Sequence, residues 1–361
     1  MADPAGAAAD APAVPAEVRP AGAAGSVTVR EYGTRYLRIS VRYHGDGRFS
    51  WLRVPGPAHD RPRVPPPPAV GAALRRVDAA VASGTGAGHG ARIALGERAA
   101  ASGDGGGLVY RVPGAVSVAR LLPSGDETGY RLSVRALADA GRTLRQLHDV
   151  PWEFTEPAPP HHGVRRLLDW ISGAPPEEED SARLRALAHE RLGPHLWTRL
   201  TDWAEAARRP PGRGGAVLLH GAPSTGWLVP SPAGDHSVLL TGEEVTGGDP
   251  ALDLGWTLGE LHELRSAATR GLGAAGQGPP VDYPAAARAL LAGYLRKEED
   301  AEDVENMEAA LPPGTARAAT LRLAVHMRDF ASFVGWHEDL RRYADLLAET
   351  LDADGAPTLQ W

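Results

Sequence analysis

The sequence predicts an α+β chain of two lobes, a small β-rich N-terminal lobe followed by a larger, mainly helical C-terminal lobe. At 361 residues and 43% hydrophobic content the chain can bury a sizeable core, yet it exceeds the usual span of one compact domain. Its apolar pattern alternates as in strands before position 123 and recurs at helical spacing after 124. A cluster of short strand signals between Ala216 and Thr241 interrupts the helical part.

Residues 1–25 hold 11 Ala, 4 Pro, 3 Gly and no aromatic side chain, too little apolar surface to offset the entropy of ordering, and are expected as a disordered tail. The N-terminal lobe is expected over 26–123. Val27 and Val29, then Leu37, Ile39, Val41 and Tyr43, then Phe49 to Val54 read as strands, punctuated by Gly33 and by His44-Gly45-Asp46-Gly47. Pro65 to Pro68 break the chain, Ala69 to Ala82 reads as a helix, and Gly84 to Gly90 as a loop. Leu108 to Val112 and Val116 to Leu122 are two further strand candidates after the Gly103–Gly107 connection. That connection lacks the Gly-Lys-Ser/Thr ending of a phosphate loop.

The C-terminal lobe is expected over 124–352. Leu137, Ala140, Leu144 and Leu147 place one apolar stripe on a helix ending near His148. Further helices are expected over 163–172, 181–207, 250–266, 284–298, 315–335 and 338–351, with 353–361 as a tail. Between them Ala216 to His220, Gly226 to Val229 and Ser237 to Thr241 read as strands, with Pro230 to Asp235 as a hairpin loop.

Composition excludes several functions. A formal charge of −7 gives no basic footprint for nucleic acid. No run approaches the length of a membrane span, and Met1-Ala2-Asp3-Pro4 is unlike a signal peptide, so a cytoplasmic protein without membrane contact is expected. The absence of Cys removes disulfides, thiolate metal sites and Cys nucleophiles. His161-His162 and the other histidines show no zinc-like spacing. Lys297 is the only Lys and Asn306 the only Asn.

One constellation is specific. Val217-Leu218-Leu219-His220-Gly221-Ala222-Pro223-Ser224-Thr225-Gly226-Trp227 is followed by Ser237-Val238-Leu239-Leu240-Thr241 and then by Gly248-Asp249-Pro250-Ala251-Leu252-Asp253-Leu254-Gly255. In order and spacing these stretches resemble the core of the aminoglycoside phosphotransferase and choline-kinase-like family. That family reads apolar-apolar-His-Gly-Asp-x-His-x-x-Asn, a strand ending in a metal-binding Asp, then Gly-Asp-Pro-x-x-Asp-Leu-Ala. Gly141 to His148 resembles its preceding helix, and Val334-Gly335-Trp336-His337 its C-terminal end. The resemblance spans roughly residues 26–352 and implies a protein-kinase-like fold with a nucleotide cleft between the lobes.

The resemblance also implies where the chemistry should sit, and there the sequence departs from the pattern. The catalytic Asp position is Ala222, the metal-binding Asn position Trp227, and the second metal-binding Asp position Thr241. The nucleotide-holding strand Lys has Arg53 as its nearest counterpart, and no Glu occurs between 54 and 90 to hold it. His220, Glu243, Glu244 and Asp235 are the remaining candidates for proton or metal chemistry. The plainer reading makes His220 a satisfied strand-end group and Glu243-Glu244 a solvated loop pair. Gly221, Asp249 and Asp253 would shape turns and start a helix in either case.

The sequence therefore predicts a pseudokinase binding an unknown protein, peptide or small ligand, with no cofactor assigned. One alternative is an atypical transferase using ATP or GTP with Mg²⁺ to phosphorylate an alcohol on a small molecule or biosynthetic peptide. The other is a structural subunit.

Overall fold

Period-two alternation in the first lobe builds a five-stranded antiparallel sheet. The computed structural model describes residues 26–59, 64–83, 90–99, 106–154, 157–175, 178–209, 215–272, 280–296, 307 and 309–361. The expected tail over 1–25, Lys297, Asn306, loop 84–89 and Gly103–Gly105 lie outside the described residues. Strands β1 (Val27–Gly33), β2 (Leu37–Tyr43), β3 (Phe49–Pro55), β5 (Glu97–Arg98) and β6 (Leu108–Val112) run in the order β1-β2-β3-β6-β5. The register sets Val41 against Trp51 and Trp51 against Tyr110, so one face of the sheet carries a buried row. The Trp51 indole N–H donates to the Gly114 carbonyl at 3.1 Å.

Helix α1 (Pro68–Ser83) opens with Pro in its first turn and buries Val70, Leu74, Val77 and Val81 along one stripe. Asp78 on α1 accepts both the Arg92 guanidinium, at 2.7 Å, and the Ile93 N–H, at 2.8 Å. These contacts start β4 (Arg92–Leu95), which leaves the first sheet. It pairs in parallel with β9 (Ser237–Thr241), itself in an antiparallel hairpin with β8 (Leu228–Pro230). A third, two-stranded sheet joins β7 (Val217–Leu219) to β10 (Thr246–Gly248).

The Val116–Leu122 expectation is corrected. Val118–Leu121 is one helical turn, α2, continued as a 3₁₀ turn over Leu122–Ser124. Val118 and Leu122 are buried while Arg120, which a strand would place on the same face between them, is exposed. Likewise Thr225–Trp227 forms a 3₁₀ turn, and the expected Gly226–Val229 strand begins only at Leu228.

The helical lobe follows the expected periodicity. It contains α3 (Glu127–His148), α4 (His162–Ser172), α5 (Glu179–Arg208), α6 (Ala251–Arg270), α7 (Tyr283–Leu295), α8 (Thr315–Phe333) and α9 (Asp339–Asp352). Helix α5 is broken at Gly193-Pro194, where Gly193 takes a left-handed φ of 64°. One buried cluster unites α4, α5, α8 and α9 around Trp170, Leu184 and Leu347, and a second joins α1, α3, α6 and α7. Residues 353–361 pack onto α6, with Thr358 buried and the Trp361 ring edge-on to His262. No helix of the described residues is long and apolar enough to cross a membrane.

Helices α3 and α7 approach closely because each presents glycine to the other. A Cβ on Gly141 would collide with the Leu290 carbonyl oxygen, and one on Gly293 with the Ala138 carbonyl oxygen. Gly141→Ala is therefore expected to destabilise the chain by about 1–3 kcal/mol despite its better helix propensity, measured as a lower urea midpoint.

Candidate functional site

Strand β7 delivers His220 to a loop that only glycine can turn. Gly221 takes φ 88°, and a Cβ there would collide with the Glu244 carbonyl oxygen. The loop is held from below by two carboxylates on one face of α6. Asp253, fully buried, accepts the His220 N–H at 2.7 Å on Oδ2 and the Gly221 N–H at 2.8 Å on Oδ1. His148 Nε2 lies 3.1 Å from the same Oδ2, and His148 Nδ1 3.0 Å from the Tyr294 hydroxyl. Two helical turns on, Glu260 accepts the backbone N–H and the hydroxyl of Thr225, both at 2.8 Å.

The electrostatics follow from this satisfaction. Burial alone would raise the Asp253 carboxyl, but His148 and the Gly221 N–H outweigh it and hold the group below the usual carboxylate range. Burial lowers the His220 pKa. Its Nε2 lies 2.8 Å from the Leu240 carbonyl and its Nδ1 accepts the Ala222 N–H at 3.4 Å, so both ring nitrogens are occupied by the backbone. Asp249 accepts the Ala251 N–H at 2.8 Å and caps the entry to α6.

The remaining candidates are placed plainly. Ala222 carries no polar group at the loop's turn. Thr241 is buried and donates its hydroxyl to the Ala94 carbonyl at 3.0 Å. The Trp227 ring stands edge-on to His220, and the Arg53 guanidinium sits 3.5 Å above the centre of its indole. Arg53 is itself only 3% exposed. Glu243 and Glu244 are not a solvated pair. Glu243 lies 3.2 Å from His59 Nε2 and Glu244 3.4 Å from His162 Nδ1, with all four side chains largely buried. Their partners come from distant segments, which is why the local charge pattern suggested solvent. Asp235 is in the exposed β8–β9 turn, 2.9 Å from His236. Among the described residues no group of three or more His, Cys, Asp or Glu is placed to hold a metal ion.

Sequence reasoning missed the contacts that close the cleft. The turn between β1 and β2 is docked on the helical lobe: Arg35 donates its N–H to the Phe333 carbonyl at 3.1 Å and pairs with Glu178 at 3.0 Å. Tyr36 packs on Phe333 and His59 at ring separations of 4.6 and 4.3 Å. Arg166 lies 5.3 Å over Tyr36 and is held by Asp329 through contacts of 2.8 and 3.2 Å. Burial would lower the Arg166 pKa, but the Asp329 carboxylate more than compensates and the guanidinium stays charged. The cavity left between the lobes measures about 180 Å³, below the ~300–1,000 Å³ usual for small-molecule sites. Its polar lining is mixed in sign, with Arg53, Arg166 and Arg322 set against Glu244, Glu260 and Asp329. Glu260 alone had a local signal, its seven-residue offset from Asp253 on a helix already predicted.

No protein-family model and no curated protein matches the chain. In structure it is similar to an ethanolamine kinase from Plasmodium vivax, at 8% identity over 90% of this chain and 81% of that one, with a TM-score of 0.49. It is also similar to a spectinomycin phosphotransferase in complex with ADP and spectinomycin, at 11% identity over 91% and 92% of the two chains, TM-score 0.47. An aminoglycoside-3'-phosphotransferase of type VIII gives 18% identity over 83% and 93%, TM-score 0.44.

Two outcomes follow. Asp253→Ala strands two buried N–H groups and His148, and is expected to cost about 3–5 kcal/mol in chemical denaturation. Asp249→Ala removes only a cap and should cost about 1 kcal/mol. The second concerns pH. His161, which caps α4 by accepting the Val164 N–H, has its pKa lowered by burial to about 4. The unfolded chain therefore protonates first, so stability is full above about pH 6.5 and falls as pH drops towards 4. In His161→Phe the slope of stability against pH in that window should be shallower by up to about 1.4 kcal/mol per pH unit.

Proposed function

We propose that the chain is a kinase-like protein of the aminoglycoside phosphotransferase and choline-kinase-like class whose cleft no longer transfers phosphate, a pseudokinase that binds a small polar ligand or a short peptide segment. The order of its motif stretches supports the class. The observation that carries the loss of transfer is the Arg53–Trp227 stack at 3.5 Å, which fills with an indole and a planar cation the space where phosphates and their metal would lie.

Phosphoryl transfer needs a group that orients the acceptor hydroxyl, a metal bridging the phosphates and a cation on them. Ala222 supplies no base, a loss worth ~10²–10⁴ in rate by itself. The Thr241 hydroxyl is spent on Ala94, and His220 has no free ring nitrogen. An atypical transferase would have to rebuild a metal site from Glu243 and Glu244, at the expense of the His59 and His162 contacts that hold them.

Thermal unfolding with ATP or GTP, each with and without Mg²⁺, tests this reading. The midpoint is expected not to depend on Mg²⁺ at about millimolar nucleotide, whereas a ligand specific for the folded state would raise it by several degrees. A Mg²⁺-dependent rise accompanied by phosphoryl transfer to any alcohol overturns it. Trp227→Ala is expected to lose about 1–3 kcal/mol of stability, from the lost ring packing and its contact with Arg53, without acquiring Mg²⁺-dependent nucleotide binding.

A further inference from the structure

The two sides of the interlobe cleft are joined in different ways. On one side β4 pairs with β9, and a single buried cluster carries Trp51 and Tyr110 of the first sheet together with Val229, Val238 and Leu240 of the β8–β9 hairpin. That side is a continuous core. On the other side the β1–β2 turn reaches across to α4, to Glu178 at the start of α5 and to the end of α8.

This turn takes its shape from its own lobe. The Thr34 hydroxyl oxygen accepts the N–H groups of Tyr36 and Leu37 at 3.1 and 3.3 Å, and the Thr34 N–H donates to the Leu37 carbonyl at 2.7 Å. From behind, the Gly56 and Ala58 N–H groups donate to the Tyr36 and Arg35 carbonyls, both at 2.8 Å, and a Cβ on Gly56 would collide with the Arg35 carbonyl oxygen. A turn preorganised in this way does not need the helical lobe in order to form. Its contacts across the cleft hold the lobes together instead.

Those contacts are of kinds that water replaces at small cost. Arg35 pairs with Glu178 through both prongs, at 3.0 and 3.1 Å, but the two side chains are 52% and 46% exposed, where an ion pair contributes little and is screened by salt. The Arg35 N–H caps the Phe333 carbonyl in the last turn of α8, beside the exposed Val334. Tyr36 lines the cavity with its ring on Phe333 and its hydroxyl 3.5 Å from Arg166 Nη1. With the turn docked the cavity holds about 180 Å³, so a ligand of ordinary size enters only if a wall moves. Of the walls, the turn is the one that neither lobe's core holds in place.

We propose that the β1–β2 turn is an autoinhibitory plug, with Tyr36 in the mouth of the interlobe cleft and Arg35 as its catch on Glu178. The small polar ligand or peptide segment enters when the plug withdraws and the lobes part about the β4–β9 side. The plug presupposes that the cleft is a binding site, as proposed above. Its withdrawal uncovers the Arg166–Asp329 pair, which then presents charge of both signs to what enters.

The chain has no Cys, so a thiol introduced into the cleft is unique. Ser224 lines the cavity, is half-buried and differs from Cys by one atom. The rate at which pyrene maleimide, bulky and neutral, labels the Ser224→Cys chain measures access to the cleft with no ligand present. Labelling is expected to quicken as salt is raised, and by about threefold or more when Glu178→Arg sets like charges at the catch. Adding Arg35→Glu, which restores the pair with its charges exchanged, should return the rate to that of the parent. Tyr36→Ala is expected to raise it about tenfold. A thiol at Ala286, buried in the helical lobe, reports global unfolding, and Ala286→Cys should be labelled no faster with Glu178→Arg than without it. An unchanged rate in Glu178→Arg, no recovery on exchanging the charges, or equal acceleration at Ala286→Cys overturns the plug. Because nothing binds in this measurement, such a failure leaves the loss of phosphoryl transfer standing, and that reading fails only if nucleotide and Mg²⁺ give transfer.

Discussion

The buried carboxylate of Asp253 is the constraint on which the centre of this protein depends. A desolvated charge is expensive unless it is hydrogen-bonded, and here two loop amides and His148 hold it. Because those partners follow β7 and lie on α3, while Asp253 itself is on α6 and Tyr294 of α7 stands behind His148, a single satisfied group fixes four elements relative to one another. The loop from His220 to Thr225 keeps its shape from beneath, independently of what projects above it. The loop's shape is set from beneath by Asp253 and Glu260, not by Ala222 at its turn.

The interlobe cleft is held by planar charged groups. Arg53 and Arg166 are both desolvated guanidiniums, and each is accommodated by planarity as much as by charge: Arg53 on the face of Trp227, Arg166 in a fork with Asp329. A flexible ammonium would fit neither arrangement as well. The docking of Tyr36 and Arg35 onto α4, α8 and the segment around Glu178 joins the edge of the N-terminal sheet to the helical lobe.

Elements with long apolar runs were legible in the sequence, since α3 and α5 bury a stripe over many turns and α6 and α8 are buried nearly all round along most of their length. Val118–Leu121 was not, because four residues carry no period, and only the exposure of Arg120 between the buried Val118 and Leu122 separates helix from strand there. Strand β4 left no signal that separated it from a loop, for its partner lies far along the chain. In the site, Asp253 and Gly221 could be found from spacing, whereas the pairs Arg166–Asp329, 163 positions apart, and His59–Glu243, 184 apart, have no local trace. The acidic dipeptide Glu243-Glu244 was misread for that reason.

The parallel pairing of β4 with β9 bears on how the chain acquires its form. Among the described residues β4 has no other ladder, and the contact between Ala94 and Thr241 closes a loop of 147 positions. Strands β1 to β3 pair with their neighbours in sequence and can assemble early, but β4 must wait until β9 has been synthesised. Until then the nascent chain presents an unpaired edge, and the entropy of the long closure is met before any packing rewards it. The two lobes therefore mature together rather than in succession, and a chain interrupted before Thr241 would leave the ribosome with its N-terminal lobe unfinished.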